Sequence, residues 1–122
     1  MAQINRHKID YEEFKKYCEI LSNKIKISGK EYKYIYPIPK NGLYVANEIN
    51  KIIHIPVEVD YDRVKEFNKN EILIVDDIID SGRTLDKYYG YDKAVLFVKN
   101  NNSDKINYYV KDIEEWIQFY FE

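Results

Sequence analysis

Three aspartates stand within five residues, at Asp76, Asp77 and Asp80, and the run Ser81-Gly82-Arg83-Thr84 follows them directly. Carboxylates accept hydrogen bonds from sugar hydroxyls or ligate a hard cation such as Mg2+. A glycine with flanking hydroxyls at the start of a helix does the complementary work: Gly82 lets the backbone approach closely, while Ser81, Thr84 and the free N–H groups surround an anionic phosphate. Two adjacent carboxylates repel a phosphate, so Asp76 and Asp77 suit ribose hydroxyls or a metal ion held between them and the ligand. Acids and cradle together specify a sugar phosphate. The bland alternative is a strand-turn-helix corner with an acidic cap.

The elements around this segment must bring it to an open edge. Ile72-Leu73-Ile74-Val75 is an unbroken apolar run, as in a strand buried on both faces of a parallel sheet. Ala94 to Val98 repeats it, and a helix from Gly82 to Tyr89, closed by Gly90, joins the two. Upstream, the spacing predicts an amphipathic helix over Asp10 to Ile27, a strand over Tyr32 to Ile38, a short helical stripe from Leu43 to Ile52 and a second strand over Ile53 to Val59. Asp60 to Asn70 reads as a polar surface connection, Ile106 to Val110 as a further strand, and Ile113 to Phe121 as an aromatic tail too apolar to leave exposed. Alternating strands and helices define an α/β fold whose binding crevice forms at the carboxyl ends of the strands. Asp76, Asp77 and Asp80 are thereby placed at that edge.

Totals narrow the setting. The chain has 122 residues, which suits one domain spanning 1–122. Nineteen Lys and Arg against 21 Asp and Glu give a net charge of -2, so no global positive field draws nucleic acid or an anionic membrane. No stretch approaches the roughly 20 apolar residues of a membrane span. Cys18 is the only cysteine, which excludes an internal disulfide and a cysteine-rich zinc site, and it lies on the apolar stripe of the first helix. The start Met1-Ala2-Gln3-Ile4-Asn5 has no apolar signal-peptide core, and a reducing cytoplasm is the expected location. His7 and His54 show no metal-ligand spacing, and hydrolase triads and dinucleotide glycine patterns are lacking.

An apolar strand followed by Asp-Asp-Ile-Ile-Asp-Ser-Gly-Arg-Thr-Leu resembles the phosphoribosyl-pyrophosphate motif of the type I phosphoribosyltransferases. The resemblance implies a single α/β domain with a central, mainly parallel sheet flanked by helices. It also implies that Asp76 and Asp77 hold ribose hydroxyls and Mg2+, that Asp80 to Thr84 wrap the 5-phosphate, and that Asp80 is the catalytic proton acceptor. Pro37-Ile38-Pro39-Lys40-Asn41-Gly42 falls where the family's pyrophosphate loop occurs. Lys40 and Gly42 match its basic and glycine positions, and Asn41 replaces a glycine. There Lys40 adds charge and the amides of Asn41 and Gly42 bind pyrophosphate; an ordinary Asn-Gly turn is the alternative.

Lys99 and the tail beginning at Trp116-Ile117 are similar to the base-recognition elements of xanthine-guanine phosphoribosyltransferases, with Lys99 donating to a 6-oxo group, Trp116 stacking on the ring and backbone near Ile117 reading its edge. Otherwise Lys99 is a solvated strand end and Trp116 a core anchor. Leu43 to Asn70 leaves a reduced hood and no long lid, with Tyr61, Asp62 and Arg63 as a candidate short one. The resemblance implies transfer of a 5-phosphoribosyl group to guanine, xanthine or hypoxanthine, by a homodimer or homotetramer. The alternatives are a sensor that binds the donor or a nucleotide without chemistry, and an enzyme using another acceptor such as a pyrimidine.

Overall fold

Strand β3 (Ile72–Ile79) lies inside a four-stranded parallel sheet of order β2-β3-β4-β5, with β2 (Tyr34–Pro37), β4 (Asp92–Val98) and β5 (Tyr108–Asp112). The structure is a computed structural model describing residues 6–122. Burial on both faces explains the apolar runs of β3 and β4, because helices cover each side. On one face α1 (Tyr11–Ile27) and α2 (Gly42–Ile53) bring Phe14, Leu21, Val45 and Ile49 against Leu73, Val75, Ala94 and Leu96. On the other, α3 (Tyr61–Val64) and α4 (Gly82–Lys87) bring Val64, Tyr88 and Leu85 against Tyr36, Ile72, Ile74 and Val95. No described helix is long and apolar enough to cross a membrane.

Helix α1 starts where the sequence places it, because the Asp10 carboxylate accepts from the Glu13 amide at 2.9 Å. Its Cys18 is buried within the core, and burial pushes the thiol pKa up.

A second sheet pairs the two ends of the described chain. Strand β1 (Arg6–Ile9) runs parallel to β6 (Trp116–Phe119), with His7 opposite Ile117 and Ile9 opposite Phe119. Phe119 meets Phe14 edge-on at 6.1 Å and lies on Phe97 at 6.0 Å, and Phe121 stacks on Tyr44 of α2 at 4.1 Å. Such aromatic burial anchors the tail.

Three sequence expectations need correction. The strand expected over Ile53 to Val59 is reduced to one bridge between Val57 and Ile35, because α2 continues through Ile53 and stops at His54 in the left-handed region. Asp60 to Asn70 is no loose connection: Val64 is fully buried, and Tyr61 lies 5.1 Å from Tyr36 and 5.6 Å from Tyr88. Strand β5 begins two residues later than expected, because Ile106 turns into the core beside Leu85 and Val95.

Gly42 fixes how β2 meets β3. A Cβ there would stand 2.6 Å from the Val75 carbonyl oxygen and 3.3 Å from the Pro37 carbonyl carbon, both backbone. Gly82 has open space instead. Gly42→Ala is therefore expected to lower unfolding free energy by about 1–3 kcal/mol, the range for overpacking. Gly82→Ala should stay within about 0.5 kcal/mol. Urea denaturation of both variants checks this, and equal stabilities would contradict it.

Candidate functional site

The site begins where strand alternation breaks. From Ile72 to Val75 side chains alternate between the α3–α4 face and the α1–α2 face. Beyond the aspartates the order resumes out of phase, with Ile78 against the α1–α2 core and Ile79 against Leu85 of α4. Asp76 and Asp77 occupy the break, and their carboxylates turn back onto the strand. The Asp77 amide donates to Asp76 Oδ1 at 2.8 Å, and the Ile78 amide donates to Asp77 Oδ1 at 2.7 Å. Asn41 Nδ2 donates to Asp77 Oδ2 at 3.1 Å, which ties the first turn to the second.

These acids are poorly solvated. Asp77 is 9% exposed and Asp76 partly buried. Burial, then the neighbouring Asp77 charge, holds the Asp76 carboxyl well above the usual carboxylate range. No described ion pair offsets that cost. A carboxyl kept protonated at a sheet edge is a common mark of a ligand site.

After Ile79 the chain turns through Asp80 and Ser81 into α4. Ser81 is extended and makes no side-chain cap hydrogen bond, so the first-turn amides of α4 lack the usual internal partner. Asp80, Gly82 and Arg83 are exposed, and Ser81 and Thr84 half-buried. The turn is held from the neighbouring loop: the Lys99 amide donates to the Ile79 carbonyl at 2.9 Å, and Asn100 Nδ2 donates to the Asp80 carbonyl at 2.7 Å. Asn100 was not singled out by sequence reasoning. Its signal is the Asn100-Asn101 pair, which adopts φ of 57° and 58°, a region asparagine tolerates better than most residues.

The Lys40-Asn41-Gly42 turn abuts the same edge, after a cis peptide between Pro39 and Lys40. The Gly42 amide donates to the Ile38 carbonyl at 3.0 Å, and the glycine is needed for close packing. Lys40 is exposed, and with Asn41, Tyr44, Asn47 and Phe121 it lines a cavity of about 700 Å3.

Lys99 and Trp116 come together, with the ammonium 5.6 Å from the ring centroid. Trp116 is 58% exposed, so it is not a core anchor. The Ile117 side chain is buried, and its strand pairs with β1 along one edge. Tyr61, proposed above for a short lid, is half-buried and packs against the core on Tyr36 and Tyr88, and Arg63 pairs with Glu58 at 3.7 Å.

Among the described residues no three His, Cys, Asp or Glu side chains are grouped to hold a metal. Asp76 and Asp77 are hard oxygen donors, already engaged by backbone amides and Asn41. The donor set fits a Mg2+ that arrives with a phosphorylated ligand and keeps several waters, and does not form a closed protein cage.

No protein-family model matches the chain, and no curated protein matches it in sequence. Solved structures do match. The chain is similar to a purine phosphoribosyltransferase from Pyrococcus horikoshii, with TM-score 0.74, 21% identity, and 96% of this chain and 94% of that one covered. It is similar to the xanthine-guanine-hypoxanthine phosphoribosyltransferase of Helicobacter pylori, with TM-score 0.74, 21% identity and 97% and 94% coverage. A Neisseria gonorrhoeae protein solved with bound ppGpp matches with TM-score 0.78, 17% identity and 100% and 92% coverage. The chain has the type I phosphoribosyltransferase fold.

The Asp76 environment has a consequence for stability. Its pKa is raised from the ordinary 3.8, so the folded state binds more protons than the unfolded one above that pH. Stability attributable to this group is then full below the unfolded pKa and falls as pH rises toward the folded value. Asp76→Asn should leave stability unchanged near pH 4 and raise it at neutral and alkaline pH. Chemical denaturation across that range checks the sign; a variant less stable than wild type at neutral pH would contradict it.

Proposed function

We propose that the protein transfers a 5-phosphoribosyl group from 5-phosphoribosyl 1-pyrophosphate to a 6-oxopurine, releasing pyrophosphate. The observation carrying this reading is the uncapped start of α4 directly beyond two poorly solvated carboxylates, at the carboxyl edge of a parallel sheet. In this account Ser81, Thr84 and the amides of Gly82, Arg83 and Thr84 hold the 5-phosphate. Asp76 and Asp77 accept from the ribose hydroxyls, which suits carboxylates near the end of β3 that have no cationic partner among the described residues. The purine lies on Trp116 with Lys99 donating to its 6-oxo group, supported by the proximity of those two side chains, and backbone near Ile117 reads its edge.

The bond from the anomeric carbon to pyrophosphate breaks as the bond to the purine nitrogen forms. Asp80, exposed beside the turn, takes the ring proton. Lys40 and the Asn41 amide stabilise the departing pyrophosphate. Asp76 and Asp77 would hold a Mg2+ that arrives with the donor, and that ion would supply charge neutralisation for the leaving group. Two of the similar structures are purine phosphoribosyltransferases, in keeping with a purine acceptor.

A second reading, nucleotide or donor binding without transfer, draws on Tyr61 being packed against the core where a mobile lid would be needed, and on the Neisseria gonorrhoeae structure having bound ppGpp. A lid protects an oxocarbenium-like centre from water. A pyrophosphate-release assay with purines and pyrimidines, with and without Mg2+, separates the readings. Transfer predicts base-dependent release with 6-oxopurines; donor binding without release with any base would favour the sensor.

Two variants test the roles. Asp80→Asn is expected to lower turnover by more than about tenfold with little change in donor affinity, as for loss of a general base. Unaltered turnover would remove Asp80 from the chemistry. Lys99→Ala should weaken purine binding and spare the donor, and equal loss of both by calorimetry would contradict base reading.

A further inference from the structure

Lys93 is an oddity that the proposed transfer does not use. It is 5% exposed, on the α4 face of β4, and has no carboxylate within ion-pair distance among the described residues. Its ammonium donates to the Tyr91 carbonyl at 2.9 Å, which uses one of three N–H groups. Its sequence neighbour Asp92 is already engaged by the Lys30 ammonium at 3.2 Å, by Tyr32 and by Asn107 Nδ2 at 3.0 Å. A buried ammonium without a counter-charge is costly, and such groups are ordinarily paired.

The surroundings supply a reason to keep it. Lys93 lines a groove of about 580 Å3 between α4 and the segment leading into β5, together with Lys105, Asn107, Tyr89, Gly90 and Asp86. The link from β4 to β5 is a short turn at Ser103–Lys105, whose Ile106 packs on Val95 and Leu85 and leaves the groove beside Lys93. Lys69 contacts the lining segment without lining the groove itself: its ammonium donates to the Tyr89 carbonyl at 2.7 Å and lies 5.2 Å from the Tyr91 ring centroid. Two lysines, Lys93 and Lys105, thus line one hollow, with Asp86 as an exposed acid and Asp92 as a committed one. Tyr89 is 77% exposed at its mouth, a large aromatic with no core to fill.

We propose that this groove is a second binding site, for a small phosphate or carboxylate anion seated by Lys93 and Lys105 and flanked by Tyr89. The anion supplies the counter-charge that Lys93 lacks, and two of its oxygens can accept from the unused N–H groups. Burial lowers the Lys93 pKa, with Lys69 adding to the effect and Asp92 opposing it, as expected for an ammonium awaiting a partner. The proposal is independent of phosphoribosyl transfer.

The test is amide chemical-shift titration of the full chain with inorganic phosphate and, separately, citrate, which distinguishes phosphate from carboxylate recognition. Signals of Gly90 and Asn107 report the groove, those of Ser81, Arg83 and Thr84 report the turn, and Gly82 borders both. Saturable shifts at Gly90 and Asn107 with either anion are expected, weakened about tenfold or more in Lys93→Met, the size of losing a charge-assisted hydrogen bond. Should Lys93→Met not fold, Lys105→Ala decides by the same criterion. Shifts confined to Ser81 to Thr84, no saturable shift with either anion, or an affinity unchanged in the deciding variant would overturn the proposal.

Discussion

Two carboxylates held side by side at the end of a buried strand are the constraint on which the rest of the structure turns. Neither Asp76 nor Asp77 has a cationic partner, and burial with mutual repulsion keeps the Asp76 carboxyl protonated beyond its ordinary range. A strand end built for stability alone would carry an apolar or capping residue there. The neighbouring parts are arranged around the pair: Asn41 reaches Asp77 from the β2–α2 turn, Gly42 lets that turn press onto Val75, and the Asn100 loop holds the Asp80 carbonyl from the opposite side. Strain of this kind is the usual accompaniment of a binding site.

The parallel sheet makes such an edge possible. Each crossover returns the chain to the same end, so the turns after β2, β3 and β4 gather Lys40, Asp80 and Lys99 without long-range design of any one loop. The second sheet adds a surface beside it. β6 carries Trp116 to the Lys99 ammonium while Phe119 and Phe121 anchor the same segment on Phe14 and Tyr44.

Much of this was legible in the sequence because it depends on local chemistry. The apolar run Ile72 to Val75 followed by acids and Ser81-Gly82 fixes a strand, a turn and a helix start in consecutive residues. What escaped depends on distant partners. Arg6 to Ile9 and Trp116 to Phe119 are four residues each, too short for alternation to show, and pair across nearly the whole chain. Tyr61, Val64 and Phe67 do lie three residues apart, a helical interval obscured by the charges between them. Ile53 to Val59 reads as a strand by composition, but Ile52 and Ile53 complete α2 and leave only Val57 to pair. The amide of Gly42 could not be assigned from sequence, because its partner, the Ile38 carbonyl, is chosen by the turn's geometry.

The central claim is that the turn after β3 grips a sugar's terminal phosphate with main-chain donors. Mapping amide shifts during titration with 5-phosphoribosyl 1-pyrophosphate and Mg2+ tests it most directly. The account predicts that Gly82, Arg83 and Thr84 move first and furthest, with Asp77 and Asn41 following. Saturable binding that leaves those amides unmoved would contradict it.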